Sequence, residues 1–335
     1  MKRFDVFNGD ADGICALQQL RLEEPCEAEL ITGVKRDNAL LRRVSGARPG
    51  DRVTALDIAL GNNREALQRL LDGGVRVTYF DHHYAGEIPD HPLFEAHIDL
   101  SPEVCTCALV DAHLGGRQRP WAVVGAYGDG LPGLAGRLAD ALGLAAPERL
   151  LLRELGEGLN YNAYGETPAD LVYPPERLYR ALSAYRDPLR FIAAEPHAAR
   201  LTAARAADME LALALVPEAG GPGWALTRLP QAPWSRRVVG AFANQRAAQR
   251  PGQVQAVLAP TVAGDWALSL RVPAASTVSA DAFCRPFGGG GRRIAAGIDA
   301  LAPAAVSSLI TALATTYAVP PDDDKPVSSS SATSS

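Results

Sequence analysis

Short, mainly apolar runs alternate with helix-like segments through the N-terminal part of the chain. Each run has the length of one strand and is rich in strand-forming side chains. The predicted strands cover residues 4–7, 28–32, 53–56, 77–80 and 94–99. Apolar positions at helical spacing predict helices between them, including 37–44 and 64–71. Strands that alternate with helices favour a parallel, doubly wound sheet, so we predict the α/β fold class.

A second α/β pattern follows a helix-rich segment over residues 133–216. Gly and Pro dominate residues 217–223, which predicts a linker. Beyond it, strands are predicted over 224–229, 254–259 and 266–272, and helices over 236–248 and 303–317. We therefore expect two lobes with a cleft between them, divided into a larger domain over 1–190, a helical linker over 191–223, a smaller α/β domain over 224–320 and a disordered tail over 321–335.

Charge is distributed unevenly along the chain, whose net charge is −5. Residues 1–220 hold 23 basic and 32 acidic residues, whereas residues 221–320 hold nine arginines, three aspartates and neither lysine nor glutamate. A planar guanidinium pairs with phosphate through two hydrogen bonds, so the second domain suits a phosphate-bearing ligand. Part of this asymmetry is compositional, because the whole chain has only three lysines.

The sequence shows no apolar run of membrane-spanning length and no signal-peptide core behind Met1. Its five cysteines are odd in number and form no Cys-x-x-Cys motif. This pattern is typical of reduced thiols and not of a disulfide framework or a zinc site. We expect a cytoplasmic protein that does not bind membranes.

Acidic and histidine side chains stand at the ends of three predicted strands. These residues are Asp10, Asp12, Asp57, Asp81, His82 and His83. In an open α/β sheet, ligands bind at the carboxyl ends of the strands, and crowded carboxylates repel one another unless a cation lies between them. Asp-Gly pairs are also typical of surface turns. The coincidence at three strands favours a divalent metal site.

The motifs resemble those of the DHH phosphoesterases, a family named for the triplet that stands here as Asp81-His82-His83. Family members also have the Asp-x-Asp pair and a single strand-end Asp, and their fourth Asp matches Asp129 in VVGAYGDG at 123–130. The family's associated C-terminal domain has a glycine-rich signature that ends in Ala-Ala-Gly and matches residues 288–297. The matches follow the family's order from residue 5 to residue 297.

The resemblance implies a role for each matched residue in a metal-dependent phosphoesterase. Two divalent ions would be bound by Asp10, Asp12, Asp57, His82 and Asp129. Asp57 would bridge the ions and His83 would face the substrate phosphate, so these two are the predicted catalytic residues. Manganese is the expected metal, with magnesium or another divalent ion as the alternative.

The substrate-binding residues implied by the resemblance lie in the second domain: Arg271, Gly289, Gly290, Gly291, Arg292 and Arg293. Glycines let the backbone approach a ligand closely, and a helix starting at this run would add the positive end of its dipole. The expected substrate is a short oligonucleotide, a nucleotide or a single-stranded nucleic acid.

Two positions depart from the family pattern. Many members have His or Asp as a further ligand where this chain has Asn8, and usually His where it has Arg292. Asn8 and Asp81 are candidates for an additional ligand or for holding the ligands in place. Because Arg cannot donate a proton near neutral pH, the departures leave open a nucleic-acid or nucleotide binding protein with reduced or lost catalysis.

The choice among enzymes of the family is also open. In size and layout the chain is most similar to the compact nanoRNase and pAp-phosphatase group, and a single-strand-specific exonuclease of RecJ type is the alternative. The polar and aromatic residues 158–165 fit a lid, an oligomer contact in a homodimer or a capped turn between helices.

Overall fold

A computed structural model describes residues 1–319. The described chain forms two compact units, Met1–Ala206 and residues 207 onwards, and the division falls inside the predicted helical linker. The predicted disordered tail at 321–335 lies outside the described residues. No helix in the described part of the chain is both long and apolar enough to cross a bilayer.

The first unit is built on a five-stranded sheet in which every neighbouring pair is parallel. Its strand order is β2-β1-β3-β4-β5, and the strands are β1 (Arg3–Asn8), β2 (Glu29–Gly33), β3 (Arg52–Leu56), β4 (Arg76–Asp81) and β5 (Phe94–Ile98). This confirms the predicted α/β class. The chain adds β2 on one side of β1 and β3 on the other, so the strand order reverses between β1 and β3.

Alternate residues of these strands enter two separate cores. Phe4 and Val6 pack with the helix that follows β3, whereas Phe7, Leu56 and Phe80 pack on the opposite face of the sheet. A parallel sheet buried on both faces requires apolar side chains at nearly every strand position, which explains the continuous apolar runs in the sequence.

Nine helices belong to or begin in the described part of the first unit. They are α1 (Ala11–Glu23), α2 (Leu60–Asp72), α3 (Thr106–His113), α4 (Arg119–Gly128), α5 (Pro132–Ala141), α6 (Ala146–Ala163), α7 (Pro175–Leu182), α8 (Pro188–Ala194) and α9 (Pro196–Leu213). The short helix predicted over 37–44 is a single 3₁₀ turn, Leu40–Arg43. Most of the polar and aromatic stretch 158–165 is helical, because α6 continues to Ala163.

The second unit contains a six-stranded mixed sheet of order β10-β11-β9-β8-β7-β6. Its strands are β6 (Ala219–Gly221), β7 (Trp224–Arg228), β8 (Val254–Pro260), β9 (Trp266–Arg271), β10 (Gly290–Gly291) and β11 (Ala295–Leu301). Its helices are α10 (Pro233–Gln249), α11 (Ala280–Cys284) and α12 (Val306–Thr316). The predicted linker 217–223 contributes the edge strand β6, which pairs antiparallel with β7.

Helices α4 and α6 approach each other closely at two glycines. A Cβ atom built on Gly156 would lie 2.3 Å from the carbonyl oxygen of Val124 and 2.9 Å from the backbone nitrogen of Gly128. Both neighbours are backbone atoms, which cannot rotate away as a side chain can. The absence of a side chain at Gly156 therefore sets the position of α4, and with it the position of Asp129 directly after α4.

We predict that Gly156→Ala destabilises the protein by about 1–3 kcal/mol, because the added methyl group forces the two helix backbones apart. The matched control is Gly136→Ala in α5, where an added Cβ would meet no atom within 4 Å. There the change should stabilise by about 0.5–1 kcal/mol through helix propensity alone. Denaturant unfolding of both variants checks this, and equal effects at the two positions would contradict it.

Candidate metal centre

The strand-end residues meet at the carboxyl edge of the first sheet, at the reversal between β1 and β3. Asp10 follows β1 and is the N-cap of α1, where its side chain accepts hydrogen bonds from the backbone N–H groups of Asp12 and Gly13. Asp57 directly follows β3, and Asp81 is the last residue of β4. The parallel order of the sheet therefore brings together motifs that are far apart in sequence.

Asp12 is fixed by the start of another helix. Its Oδ2 accepts a hydrogen bond of 2.7 Å from the backbone N–H of Thr106, and its Oδ1 accepts one of 2.8 Å from that of Cys107. These N–H groups belong to the first turn of α3, where the helix dipole favours a negative charge. Helix α3 begins at Thr106, and the extended conformation of Cys105 before it directs these amides at the carboxylate.

Asp57 occupies a strained backbone conformation. Its φ of 58° is the only positive value at a non-glycine residue in the described chain. Its N–H donates to the carbonyl of Phe80 at 3.0 Å, and its Oδ1 accepts from the Thr106 hydroxyl at 3.0 Å. Asp tolerates this region better than most residues, and such strain is concentrated at functional sites. The sharp turn directs the carboxylate back across the edge of the sheet.

The His82 ring lies among three of the predicted ligands. Its Nε2 is 3.5 Å from Asp57 Oδ1, 3.7 Å from Asp129 Oδ2 and 3.8 Å from Asp12 Oδ2. Metal–ligand bonds of about 2.1 Å place neighbouring ligand atoms roughly 3–3.5 Å apart. The His82 nitrogen and one oxygen each of Asp12 and Asp129 lie within 4.8 Å of one another, which fits a single divalent ion, and the mixed donor set suits a transition metal.

His83 is held by Asp81 and not by the other carboxylates. The His83 Nδ1 lies 2.8 Å from Asp81 Oδ1, and 3.9 Å from Asp57 Oδ1. The hydrogen bond with Asp81 raises the pKa of His83 above its usual value. Asp81 is fully buried, and its Oδ2 has no hydrogen-bond partner among the described residues. Asp81 thus orients His83, whose second nitrogen remains available on a side chain that is 42% exposed.

Repulsion among the carboxylates raises two pKa values in the centre. Burial, followed by the charges of Asp10 and Asp12, raises the pKa of Asp57 well above its ordinary value. Burial and the charge of Asp12 raise the pKa of Asp129 to about 6. Carboxyl groups that resist ionisation in this way gain most from a nearby cation.

Lys35 lies beside Asp10, and the sequence analysis did not identify it. Its Nζ is 2.5 Å from Asp10 Oδ2 and 3.8 Å from Asp129 Oδ1. Burial alone would lower the pKa of Lys35, but the charge of Asp10 outweighs it and the pKa is raised well above its usual value. The same pair lowers the pKa of Asp10 against the effect of its own burial.

Asn8 serves the loop around Asp10. Its Oδ1 accepts from the Asp10 backbone N–H at 3.2 Å, and its Nδ2 donates to the Lys35 carbonyl at 3.2 Å. Among the described residues, two groups of three side chains have ligand atoms that all lie within 4.8 Å of one another. One group is Asp12, His82 and Asp129, and the other is Asp57, His82 and His83. Asp10 and Asn8 belong to neither group.

The glycine run in the second unit forms a hairpin and not the start of a helix, so no helix dipole points at a ligand there. Strands β10 and β11 pair antiparallel. A Cβ on Gly289 would lie 2.2 Å from the Gly297 carbonyl oxygen, and Gly291 has a φ of 150°. These glycines allow two backbones to pack closely, and Gly290 is exposed between them.

The three arginines predicted to bind substrate differ in their surroundings. Arg271 donates to the side chains of Asn244 and Ser269 at 2.6 and 3.1 Å. Arg293 donates to the carbonyls of Ala274 and Ser276. Arg292 is exposed, and its side chain has no hydrogen bond or ion pair with any described residue. Of the three, Arg292 has the guanidinium that is freest to bind an anion.

Comparison with solved structures identifies the fold. The exonuclease RecJ bound to manganese aligns with 98% of this chain and 93% of its own, at 19% identity and a TM-score of 0.61. The manganese complex of RecJ from Thermus thermophilus gives 19% identity and a TM-score of 0.63 over 95% of this chain and 53% of its own. A DHH domain from the S1p family of ribosomal proteins aligns with 94% of this chain and 86% of its own, at 13% identity and a TM-score of 0.60.

The chain has the DHH fold. The pGpG-specific phosphodiesterase PggH from Vibrio cholerae shares it, at 14% identity and a TM-score of 0.52 over 94% of this chain and all of its own. The fold expected from the motifs is thereby confirmed. A scan against family models finds no match, and neither does a sequence search of curated proteins. At these identities the likeness establishes the DHH fold alone.

Without a divalent cation, we predict that Asp129 lowers the stability of the protein as the pH rises from about 4 to about 6. Asp129 has a pKa of about 6 when folded and an ordinary value of 3.8 when unfolded. The folded state therefore binds more protons in this window, and the free energy of unfolding falls by up to about 1.4 kcal/mol per pH unit. Denaturant unfolding in a chelator measures this slope.

Asp129→Asn should remove this contribution, so that its stability falls less than that of the wild type over the same pH range. Manganese at pH 7 should restore stability to the wild-type protein and not to Asp129→Asn. Equal pH slopes for the wild type and Asp129→Asn would contradict the raised pKa of Asp129.

Proposed function

We propose that the protein is a metal-dependent phosphoesterase that hydrolyses phosphoester bonds of short oligonucleotides or nucleotides. The observation behind this proposal is the His82 imidazole within 3.8 Å of carboxylates from three separate segments. Manganese is the proposed metal, because the donors are mixed oxygen and nitrogen. A divalent ion held there would supply Lewis-acid activation of water and of a phosphoryl oxygen.

The residues around the ligands have defined tasks in this proposal. Asp12, Asp57, His82 and Asp129 hold the metal, and the α3 amides together with Thr106 fix the first two. His83 binds the substrate phosphate through Nε2, because its Nδ1 is engaged by Asp81. A raised pKa keeps this imidazole protonated over a wider pH range, so that it donates a hydrogen bond to a phosphoryl oxygen.

The substrate class rests on the second unit and on the neighbours in fold. An exonuclease and a pGpG phosphodiesterase both have this fold, and their names describe cleavage of nucleic acids or of a short nucleotide. The exposed glycine hairpin carries Arg292, whose guanidinium is available to phosphate. We therefore propose this hairpin as the part that selects the substrate.

Two alternatives remain distinguishable by experiment. A RecJ-type exonuclease would degrade single-stranded DNA in preference to dinucleotides, and a binding protein would retain oligonucleotides without turnover. Assays with dinucleotides, pAp, cyclic dinucleotides and single-stranded DNA separate these cases.

We place the protein in the cytoplasm. All five cysteines are free, and Cys15, Cys105, Cys107 and Cys284 are buried. Reduced, buried thiols suit a reducing compartment.

We predict that Asp57→Asn lowers the rate of manganese-dependent hydrolysis by at least about a hundredfold, because an amide oxygen is a weaker ligand than a carboxylate. Asn is also tolerated at positive φ, so the fold should persist. Initial rates with a short oligonucleotide measure the loss. Asp90→Asn, in an exposed loop, is the control and should retain full activity. Near-wild-type turnover of Asp57→Asn in manganese would contradict the proposed metal ligation.

For the second unit, we predict that Arg292→Ala raises KM for an oligonucleotide roughly ten- to a hundredfold. One charge-assisted hydrogen bond contributes on the order of 1.5–3 kcal/mol. KM for a small aryl phosphodiester should change little, because that substrate lacks further phosphates. Arg285→Ala removes another exposed arginine of the same unit and serves as the control. An equal effect of Arg292→Ala on both substrates would contradict the selective role.

A further inference from the structure

Lys35 introduces a fixed positive charge into the candidate metal centre. Its ammonium contacts Asp10 Oδ2 at 2.5 Å and Asn160 Oδ1 at 3.0 Å, and it lies 3.8 Å from Asp129 Oδ1. The Tyr164 ring adds a cation–π contact, with Nζ 5.6 Å from the ring centroid. The ammonium is therefore surrounded by oxygen atoms and an aromatic face.

The backbone of Lys35 is held on both sides of its side chain. Its N–H donates to the Ala163 carbonyl at 3.0 Å, at the end of α6, and its carbonyl accepts from Asn8 Nδ2 at 3.2 Å. Asn8 also accepts from the Asp10 N–H, so one amide connects the backbones of Lys35 and Asp10. This anchoring places the ammonium beside Asp10.

Both carboxylate oxygens of Asp10 are already used by the protein. Oδ1 accepts from the N–H groups of Asp12 and Gly13, each at 3.1 Å, and Oδ2 accepts from Lys35. By contrast, Asp12, His82 and Asp129 form a compact set of ligand atoms, and Asp57 lies 3.5 Å from the same imidazole. Both groups of three ligand atoms share His82 and neither includes Asp10, so the residues fit an ion beside His82 and do not fit a second one on Asp10.

We infer, on the basis of the proposed function, that the centre binds one divalent ion and that the Lys35 ammonium takes the place of the second cation. An ion on Asp10 would share its carboxylate with the ammonium and would be repelled by it at short range. One divalent ion and one ammonium bring three positive charges to four carboxylates. Asp10 therefore forms an ion pair with Lys35 and caps the start of α1, and it does not bind a metal.

The number of bound ions tests this inference without any use of activity. Equilibrium dialysis of the full chain against Mn²⁺, followed by elemental analysis, gives the number of ions per chain. We expect one ion for the wild type and two for Lys35→Met, which removes the charge with little change in shape. Lys2→Met, which removes a lysine charge outside the centre, is the control and should bind one ion.

A second variant keeps the test decisive if Lys35→Met does not fold. Asp10→Asn retains N-capping ability, since Asn is as good an N-cap as Asp. Under the one-ion inference this variant still binds one ion, whereas in a two-ion centre the count falls from two to one. A wild-type count of two, or a Lys35→Met count that stays at one, overturns the inference.

The result also separates this inference from the proposed function. One ion per chain without hydrolysis of any tested phosphoester would sink the phosphoesterase proposal and leave the one-ion centre standing. Two ions with rapid hydrolysis would do the reverse. A wild type that binds no ion would overturn both.

Discussion

Mutual repulsion among the buried carboxylates of Asp10, Asp12 and Asp57 and the partly exposed one of Asp129 is the constraint on which the candidate site depends. Bringing several anions into one poorly solvated space costs several kcal/mol per ion unless each finds a partner. The fold provides partners individually: the amides of α3 for Asp12, the amides of α1 for Asp10 and the Thr106 hydroxyl for Asp57. Hydrogen bonds of this kind reduce the repulsion without removing the charge that a metal requires.

The distances in the site are set by packing at some distance from it. The carboxylates come from three segments, the start of α1, the end of β3 and the end of α4, so their separation depends on how these strands and helices pack. Asp129 follows α4, and α4 lies where the backbone contact with Gly156 allows it. The strained turn at Asp57 is tolerated because its N–H is satisfied by Phe80 on the neighbouring strand. In this unit, the packing of the core therefore determines the distances between the ligand side chains.

The sequence predicted the parts of the site that lie next to a periodic element. A strand's carboxyl end is visible in an apolar run, and a parallel sheet brings such ends together. Lys35 gives no comparable signal, since it lies in a short loop and its role depends on β2 pairing with β1. Two weaker signals could have drawn attention to Lys35: lysine is rare in this chain, and Lys35 follows a strand that ends at the same edge of the sheet. The hairpin at the glycine run could not be told from a loop or a helix start in the sequence, because glycine is accepted in all three.

A covalently attached ammonium differs from a bound ion in one physical respect, which is that it cannot dissociate. With Lys35 in place, Asp10 is neutralised as soon as β1, β2 and α6 have packed, before any metal arrives. The start of α1 is then capped by a carboxylate whose charge is already balanced. Among the described residues, the carboxylates around His82 have no cationic partner as close as Lys35 is to Asp10, and the pKa values of Asp57 and Asp129 are raised. The fold thereby separates Asp10, whose charge is balanced by Lys35, from the carboxylates around His82, whose mutual repulsion the proposed divalent ion would relieve.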